Sequence, residues 1–549
     1  MRSFDYYCKY QRNFMKKIIL SFVTLAVIFS FHISLFSQQP TQNWMLLNYE
    51  NDSVPGVSEK KAYSLLANKK PKKVVVAVID SGVDILHEDL NDVIWINEDE
   101  IANNGIDDDK NGYVDDIYGW NFIGGKDGKH VNQDSYEITR LYGSLEKKYG
   151  NKTAKEIGSN ERKEFDYYQK IKKEWETKMN EYLSGKAGVE TLLKSIKETE
   201  SLLKEKFQIT DITEETLEKI DQSDETLNKA IVSIQVLMMM TGSKDYYQLI
   251  SILKNEMDYY QSSLDYGYNL SFDPRHIVGD NYSNSAEKNY GNSDVKGPDP
   301  SHGTHVAGII AAERGNGIGM DGISNATSIM VLRAVPNGDE RDKDVANAII
   351  YAADNGAKII NMSFGKKYYS DKQAVDNAIK YAESKDVLLI HAAGNDAENI
   401  DVVQFYPTRK FLKGSAKNWL EVGAMNWEKS PNAAGSFSNY GKKNVDLFAP
   451  GVDIYSTFPN QKYEFQQGTS MAAPVVAGVA AVLRSHFPEL SASEIKKALL
   501  SSVRQFKGMK TNLPGSDKLV NFSDLSKTGG VVELSKAVEY CLKLTQGKK

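Results

Sequence analysis

The sequence predicts an α/β protein: a doubly wound, mostly parallel sheet with a helical insertion in its first half. Three observations carry that expectation. Short β-branched, apolar runs recur, first "KKVVVAVIDSG" at 72–82, then at 329–335, 358–362, 387–391 and 420–424. Such near-continuous apolar runs suit strands buried on both faces. Segments with helical patterning lie between them at 304–312, 343–355 and 374–385, the alternation expected of a sheet wound by crossover helices. The third observation is an interruption: no proline occurs from Lys72 to Asp273, and residues from about 135 to 268 carry no strand pattern.

The N-terminus reads as an address. Lys16 and Lys17 precede an apolar run over 18–36, and "SLFSQQPTQ" then turns polar. That is the order of a secretory signal, here residues 1–38 with cleavage near Ser37–Gln39, and Met15 stands directly before the lysines as an alternative start. The other reading is an uncleaved anchor, because the run approaches the roughly 18–20 residues that span a bilayer. No cysteine follows the run, which argues against a lipoprotein. Loss of Cys8 with the signal leaves Cys541 alone, so no intramolecular disulfide is expected in an exported, secreted or periplasmic, protein. With 549 residues and 41% hydrophobic content the chain can bury a large core, and length alone suggests two to four domains. The net charge of −6 gives no electrostatic reason to expect nucleic acid.

The first strand run ends in Asp80-Ser81-Gly82, polar residues at its carboxyl end, where open α/β sheets bind ligands. Ser363 and Asn395 fall at the ends of later runs. Within the insertion, Tyr246, Leu249, Ile250, Leu253, Met257 and Tyr260 step by three and four, as do Val189, Leu192, Leu193, Ile196, Leu203 and Phe207. One apolar face on each helix predicts a hairpin or small bundle. The expected division is therefore a signal at 1–38, a first part of the main domain at 39–134, the insertion at 135–268, and a second part with C-terminal helices at 269–549.

"HGTHVAG" at 302–308 places two histidines three apart. Zinc is a poor reading, since no third ligand stands in a suitable pattern. "GTSMAAPVVAGVAAVL" at 468–483 puts Ser470 at the start of an apolar helix, whose free N–H groups and positive potential suit an oxyanion. Taken singly, Ser470 is also a helix cap, Asp80 a turn residue and the histidines core residues.

Together, Asp80 in "VIDSG", His302 in "HGTHVAG" and Ser470 in "GTSMAAP" resemble the subtilisin-like serine peptidases, with that family's order Asp, His, Ser. The resemblance covers roughly 43–130 and 270–505, including "HEDL" at 87–90, "AAGN" at 392–395 and "FAPG" at 448–451. It implies a sheet of the subtilisin-like type, with the insertion falling between Asp80 and His302. It implies a serine endopeptidase with Ser470 as nucleophile, His302 as general base, Asp80 orienting the imidazole and Asn395 donating its amide to the oxyanion. His305 is then structural. The resemblance places substrate backbone against Ser363, Phe364 and Gly365 and against Ala392, Ala393 and Gly394, with Lys366 where the family often has a second glycine. It implies a cis bond at Tyr406-Pro407, polypeptide substrates and no cofactor for the chemistry. A non-catalytic peptide-binding member is the alternative; a scaffold in which the insertion does the work is a more distant one.

Calcium is a further expectation. In "NNGIDDDKNGYVDD", Asp107, Asp109 and Asn111 alternate before Gly112, and Asp115 and Asp116 close the loop, like the first half of an EF-hand. Tyr118 stands where that loop has its bidentate Glu, and an acidic surface turn is the other reading. By the family resemblance, Asp89 with Asn316 forms a second candidate. Because "VPGVSEKKAYSLLANK" already reads as catalytic domain, no separate inhibitory pro-domain is expected. The insertion is expected beside the cleft, where it would admit flexible chains and hinder folded ones.

Overall fold

Nine strands form one sheet in the order β10-β13-β7-β6-β5-β4-β1-β3-β2 in the computed structural model. They are β1 Val74–Asp80, β2 Gly119–Asn121, β3 Thr327–Arg333, β4 Ile359–Met362, β5 Leu388–Ala392, β6 Trp419–Met425, β7 Leu447–Pro450, β10 Arg504–Gln505 and β13 Gly530–Val531. Two antiparallel pairs lie outside the sheet: β8 Ile454–Phe458 with β9 Lys462–Gln466, and β11 Lys510–Asn512 with β12 Leu519–Asn521. The structure describes residues 40–207, 211–213, 216–217, 225–243 and 245–547, so the expected signal at 1–38 lies outside the described residues. Contacts divide the chain into Met1–Thr41 and Gln42–Lys549, and all the strands and helices named here belong to the second unit.

Every neighbouring pair in the large sheet is parallel except β10 with β13 at one edge. Alternation splits each central strand between two cores. Val76 and Val78 of β1 join Ile329 and Val331 of β3 in one apolar cluster, while Ala77 and Ile79 join Met330 and Leu332 in another. The first cluster is capped by α6 (Ser301–Ala311) and α9 (Thr469–His486), the second by α7 (Asp342–Asp354) and α8 (Lys372–Ser384). These strands and helices are the elements the sequence pattern predicted, with ends shifted by up to three residues. Earlier in the chain, α1 (Glu59–Leu66) buries Ala62 and Leu66 in the first cluster.

Between β2 and α6 the described residues carry α2 (Glu137–Tyr149), α3 (Arg162–Phe207), α4 (Glu225–Thr241) and α5 (Tyr246–Ser262). At 46 residues α3 is about 69 Å long at 1.5 Å per residue. The two apolar faces read from the sequence meet each other. Leu193, Ile196 and Leu203 of α3 bury against Leu249 and Leu253 of α5 in a core of their own. A second core nearer the sheet joins Tyr142 and Tyr149 of α2 to Phe165 and Tyr168 of α3 and to Tyr268.

Buried ion pairs fasten this helical segment to the sheet side. The Lys366 ammonium is 2.8 Å from Glu137 of α2 and 2.8 Å from Asp342 of α7, and it donates to the Glu340 carbonyl at 2.6 Å. Within α2, Arg140 pairs with Glu137 at 2.7 Å and reaches the Asp339 and Glu340 carbonyls at 3.1 and 3.3 Å, and Arg341 pairs with Asp134 at 2.7 Å. The side chain that stands where a glycine was anticipated thus turns into the protein and anchors the insertion. The mutual charges hold the Glu137 carboxyl down at about 2, although burial alone would push it up. The chain ends in α10 (Ala492–Ser501), with a capping box from Ser491 and Glu494, and α11 (Leu534–Gln546).

Candidate active site

Asp80 is the last residue of β1 and is buried. Its Oδ1 accepts the Ser81 N–H at 2.7 Å and lies 2.8 Å from His302 Nδ1. A proton on Nδ1 pairs with Oδ1 and leaves Nε2 as the acceptor, while the buried Oδ2 has no partner among the described residues. His302 sits in the first turn of α6, and the next residue explains how it gets so close: a Cβ on Gly303 would stand 2.1 Å from the Gly82 carbonyl oxygen. Only glycine lets the helix start press onto the end of β1. Burial pulls the His302 imidazole down, but the Asp80 charge and hydrogen bond outweigh it and leave it above the usual histidine value. About 38% of its side chain stays open.

One helical turn on, His305 is fully buried. Its Nε2 faces the carbonyls of Ile454 and Glu464 at 3.0 and 3.1 Å, tying α6 to the β8–β9 pair. Desolvation pushes it down to about 4, so it stays neutral and structural.

Ser470 is the second residue of α9, where backbone N–H groups have no partner inside the helix. Its carbonyl would ordinarily accept from residue 474. That residue is Pro474, which has no N–H, and the Ser363 hydroxyl donates to the Ser470 carbonyl instead, at 2.9 Å. In return Ser470 Oγ donates to the Ser363 carbonyl at 3.0 Å. Among the described residues no hydrogen bond joins Ser470 Oγ to His302, so the hydroxyl has to turn from Ser363 to reach the imidazole. Catalytic hydrogen bonds in unliganded enzymes often tighten only with substrate.

Asn395 lies just past β5. Its Oδ1 accepts both the Thr469 N–H and the Thr469 hydroxyl at 2.9 Å, and Thr469 Oγ in turn accepts the Gly394 N–H at 3.0 Å. Two donors on one atom fix the amide's orientation, and Nδ2 has no acceptor among the described residues. Ser470 and Asn395 both line a cavity of about 450 Å³. Ser363, Phe364 and Gly365 after β4 form one side of it, and Ala392 at the end of β5 with Gly394 after it another. Ala393 does not line it: it is buried, with its N–H on the Val422 carbonyl. The insertion reaches the same cavity through Glu174, Lys178, Tyr182 and Tyr259. Beside it, Lys366 and Tyr406 exchange backbone hydrogen bonds of 2.9 and 2.8 Å, and Tyr406-Pro407 is cis, as is Ser430-Pro431.

The acidic loop is only partly as its spacing predicts. Asp107 accepts from the N–H groups of Asn111 and Gly112, and Asn111 Nδ2 bridges Asp109 and Asp116 at 2.9 Å each. Asp115 turns away and accepts from Asn104 and Gly105. In its place Glu100 enters from upstream, taking the N–H groups of Asp108, Asp109 and Asp115. Carboxylate oxygens of Glu100, Asp109 and Asp116 lie within 4.8 Å of one another. Burial and the neighbouring carboxylates raise both Glu100 and Asp116. Glu100 lies before the first aspartate of the loop, and an EF-hand pattern runs only forward from that position, so the spacing does not point to it. At the second candidate, Asn316 Nδ2 donates directly to Asp89 at 2.7 Å and the Met320 N–H to its other oxygen at 3.2 Å. Asn316 there offers Asp89 its donor end. Cys541, the one cysteine among the described residues, is buried, which pushes its thiol up to about 12.

Residues 71–523 match the model of the subtilase family. A thermophilic serine proteinase of Bacillus sp. (strain AK1) is 43% identical over 186 residues, which are 34% of this chain and 43% of that protein. Thermitase of Thermoactinomyces vulgaris is 37% identical over 211 residues, 38% of this chain and 70% of that one. A cell wall-associated protease of Bacillus subtilis (strain 168) is 40% identical over 202 residues, 37% of this chain and 21% of its own length. The match thus spans under half of the first and third of these relatives.

Proposed function

This chain belongs to the subtilase family, and from that premise we propose that it is an extracytoplasmic serine endopeptidase. Ser470 attacks the peptide carbonyl and forms an acyl-enzyme. His302 Nε2 takes the hydroxyl proton and returns it to the leaving amine, and Asp80 holds the imidazole and offsets its charge in the transition state. The Asn395 amide and the Ser470 N–H receive the oxyanion. The observation that supports this best is the 2.8 Å Asp80–His302 contact through Nδ1, which turns Nε2 away from the carboxylate. An organophosphonate should label Ser470 in the purified enzyme. Because imidazolium cannot accept the proton, kcat/KM should fall as pH drops through a limb above the ordinary histidine value of about 6.5. A non-catalytic peptide binder would take no label. The export reading rests on the N-terminal sequence; among the described residues no helix is long and apolar enough to cross a membrane. Secretion of the mature chain from its host, detected with an antibody, is the check.

Structural calcium fits the acidic loop, held by Glu100, Asp109 and Asp116 with Asp107 and Asn111 beside them. Three carboxylates so close repel one another, and a cation with oxygen ligands relieves this. At free calcium about 100-fold above Kd, binding should add about 2.7 kcal/mol of stability. Chelation should lower the melting temperature and calcium restore it; a melting curve indifferent to both, or a Glu100→Gln variant with the full calcium response, would sink the site.

The insertion at 135–268 is best read as an excursion between two parts of one catalytic domain, 39–134 and 269–549, that walls the cleft. The support is that Glu174, Lys178, Tyr182 and Tyr259 line the cavity with Ser470. Beyond them, Gly185 of α3 faces the Tyr260 ring of α5, where the helices are close enough to join. Replacing 186–256 by a short Gly/Ser linker removes the distal bundle and spares the wall. Hydrolysis of small peptides should stay within about tenfold, since the reacting groups are untouched, while folded proteins should be cleaved faster. Equal responses from both substrate classes would end the gating idea.

A further inference from the structure

We propose that Phe405 fills the pocket for the side chain just before the scissile bond, so that the enzyme accepts glycine, alanine or serine there and excludes large residues. This rests on the reading of Ser470 and Asn395 as the reacting centre.

A carbonyl under attack has its carbon beside Ser470 Oγ and its oxygen at Asn395 Nδ2. The side chain on that residue must then enter the space between the backbone at 363–365 and the backbone at 392–394. Each segment ends in a glycine that looks across this slot. A Cβ on Gly365 would stand 2.4 and 2.8 Å from Cε1 and Cζ of Phe405. One on Gly394 would stand 2.4 Å from Asn439 Nδ2 and 2.9 and 3.0 Å from Cζ and Cε1 of the same ring. The edge of the Phe405 ring is therefore wedged between the two glycines, and the room that two missing side chains create is already taken.

The ring is also held there. The buried His391 ring packs 6.0 Å from it, centroid to centroid, and is fixed by a 2.7 Å hydrogen bond to Glu421. On the chain side, the neighbouring Tyr406 is pinned by its two backbone hydrogen bonds to Lys366. A swing of Phe405 out of the slot would uncover the His391 side of the ring and disturb this pairing. Phe405 is thus one wall of the cavity of about 450 Å³ that opens onto Ser470, at the point where the two glycines face each other; a benzyl or isobutyl group entering between them would have to displace the ring, whereas a methyl group needs only the mouth.

The test is a peptide series identical except at the residue before the cleaved bond, carrying Ala, Leu or Phe, run on the full-length mature enzyme and on Phe405→Gly. The wild type should cleave the Ala peptide at least about tenfold more efficiently than the Phe peptide. In Phe405→Gly the Phe-to-Ala ratio of kcat/KM should rise by about tenfold or more, a gain that damage to the fold cannot produce. Should that variant fail to fold, Phe405→Ala reads the same ratio. Wild-type enzyme that takes Phe as readily as Ala, or a variant that changes every peptide by one common factor, overturns the inference while leaving the peptidase reading intact. No cleavage of any peptide together with no phosphonate label on Ser470 overturns both.

Discussion

Ser470→Ala and His302→Ala should each lower kcat on a peptide substrate by about a millionfold, and the double variant should lose little more. That size is the one found when the same groups are removed from a subtilisin, a relative of this chain. The near-equality is the informative part. Without His302, the Ser470 hydroxyl keeps its proton, and its resting partner is the Ser363 carbonyl, which accepts a hydrogen bond but cannot carry a proton to the leaving amine. Without Ser470, a proton acceptor remains at His302 with no nucleophile to serve. Either loss leaves only the oxyanion donors and substrate binding. Asp80→Ala should cost less, because a histidine without its carboxylate still titrates; it loses the orientation enforced at 2.8 Å and the charge that lifts its pKa. Steady-state kinetics on matched preparations with unchanged melting temperature decide the matter. A Ser470 or His302 variant that keeps more than about a tenth of wild-type kcat would mean that the roles are misassigned.

The parts of this molecule that the sequence exposes are those where local pattern and burial coincide. β1, β3, β4, β5 and β6 are covered on both faces, so each is a run of apolar residues that needs no partner to be recognised. β9, "KYEFQ", is largely exposed and has no such run; it is a strand because β8 pairs with it. β2, β10 and β13 have two or three residues each, too few to carry a period of two. The site divides in the same way. Asp80, His302, Asn395 and Ser470 each sit where a strand ends or a helix begins, inside a short motif whose glycines and small residues are themselves informative. Lys366 acts through partners 26 and 229 residues away, and Glu100 and Phe405 act by reaching across loops. Nothing beside them in the chain reports those contacts. The insertion shows both sides of this: its helices and their mutual faces follow from a 3.6-residue period, but their meeting with the cleft depends on the tertiary Glu137–Lys366 ion pair and on hydrogen bonds from Arg140 to the Asp339 and Glu340 carbonyls.

Asn395→Ala should lower kcat by about 10²–10³ with little change in KM, a loss of about 2.7–4 kcal/mol that is likewise a subtilisin value. The physical reason lies in when the bond forms. A neutral carbonyl gains little from one more donor, whereas the alkoxide of the tetrahedral intermediate gains a charge-assisted hydrogen bond, so the effect falls on kcat. Thr469 sharpens the test because it never touches the oxyanion. Its hydroxyl takes the Gly394 N–H and gives its proton to Asn395 Oδ1, and its own N–H holds that same oxygen. Thr469→Val removes the hydroxyl but keeps the backbone donor, so one of two neutral hydrogen bonds on Oδ1 survives. Loss of one such bond is worth about 0.5–1.5 kcal/mol, or about two- to tenfold in rate, with an added cost in melting temperature for the Gly394 N–H left unpaired in a buried site. The expected order in kcat is thus wild type, Thr469→Val, then Asn395→Ala well below. An Asn395→Ala enzyme whose KM rises while kcat holds would mean that the amide binds substrate rather than the oxyanion. A Thr469→Val enzyme as impaired as Asn395→Ala would mean that the amide's setting, not its proton, is what catalysis needs.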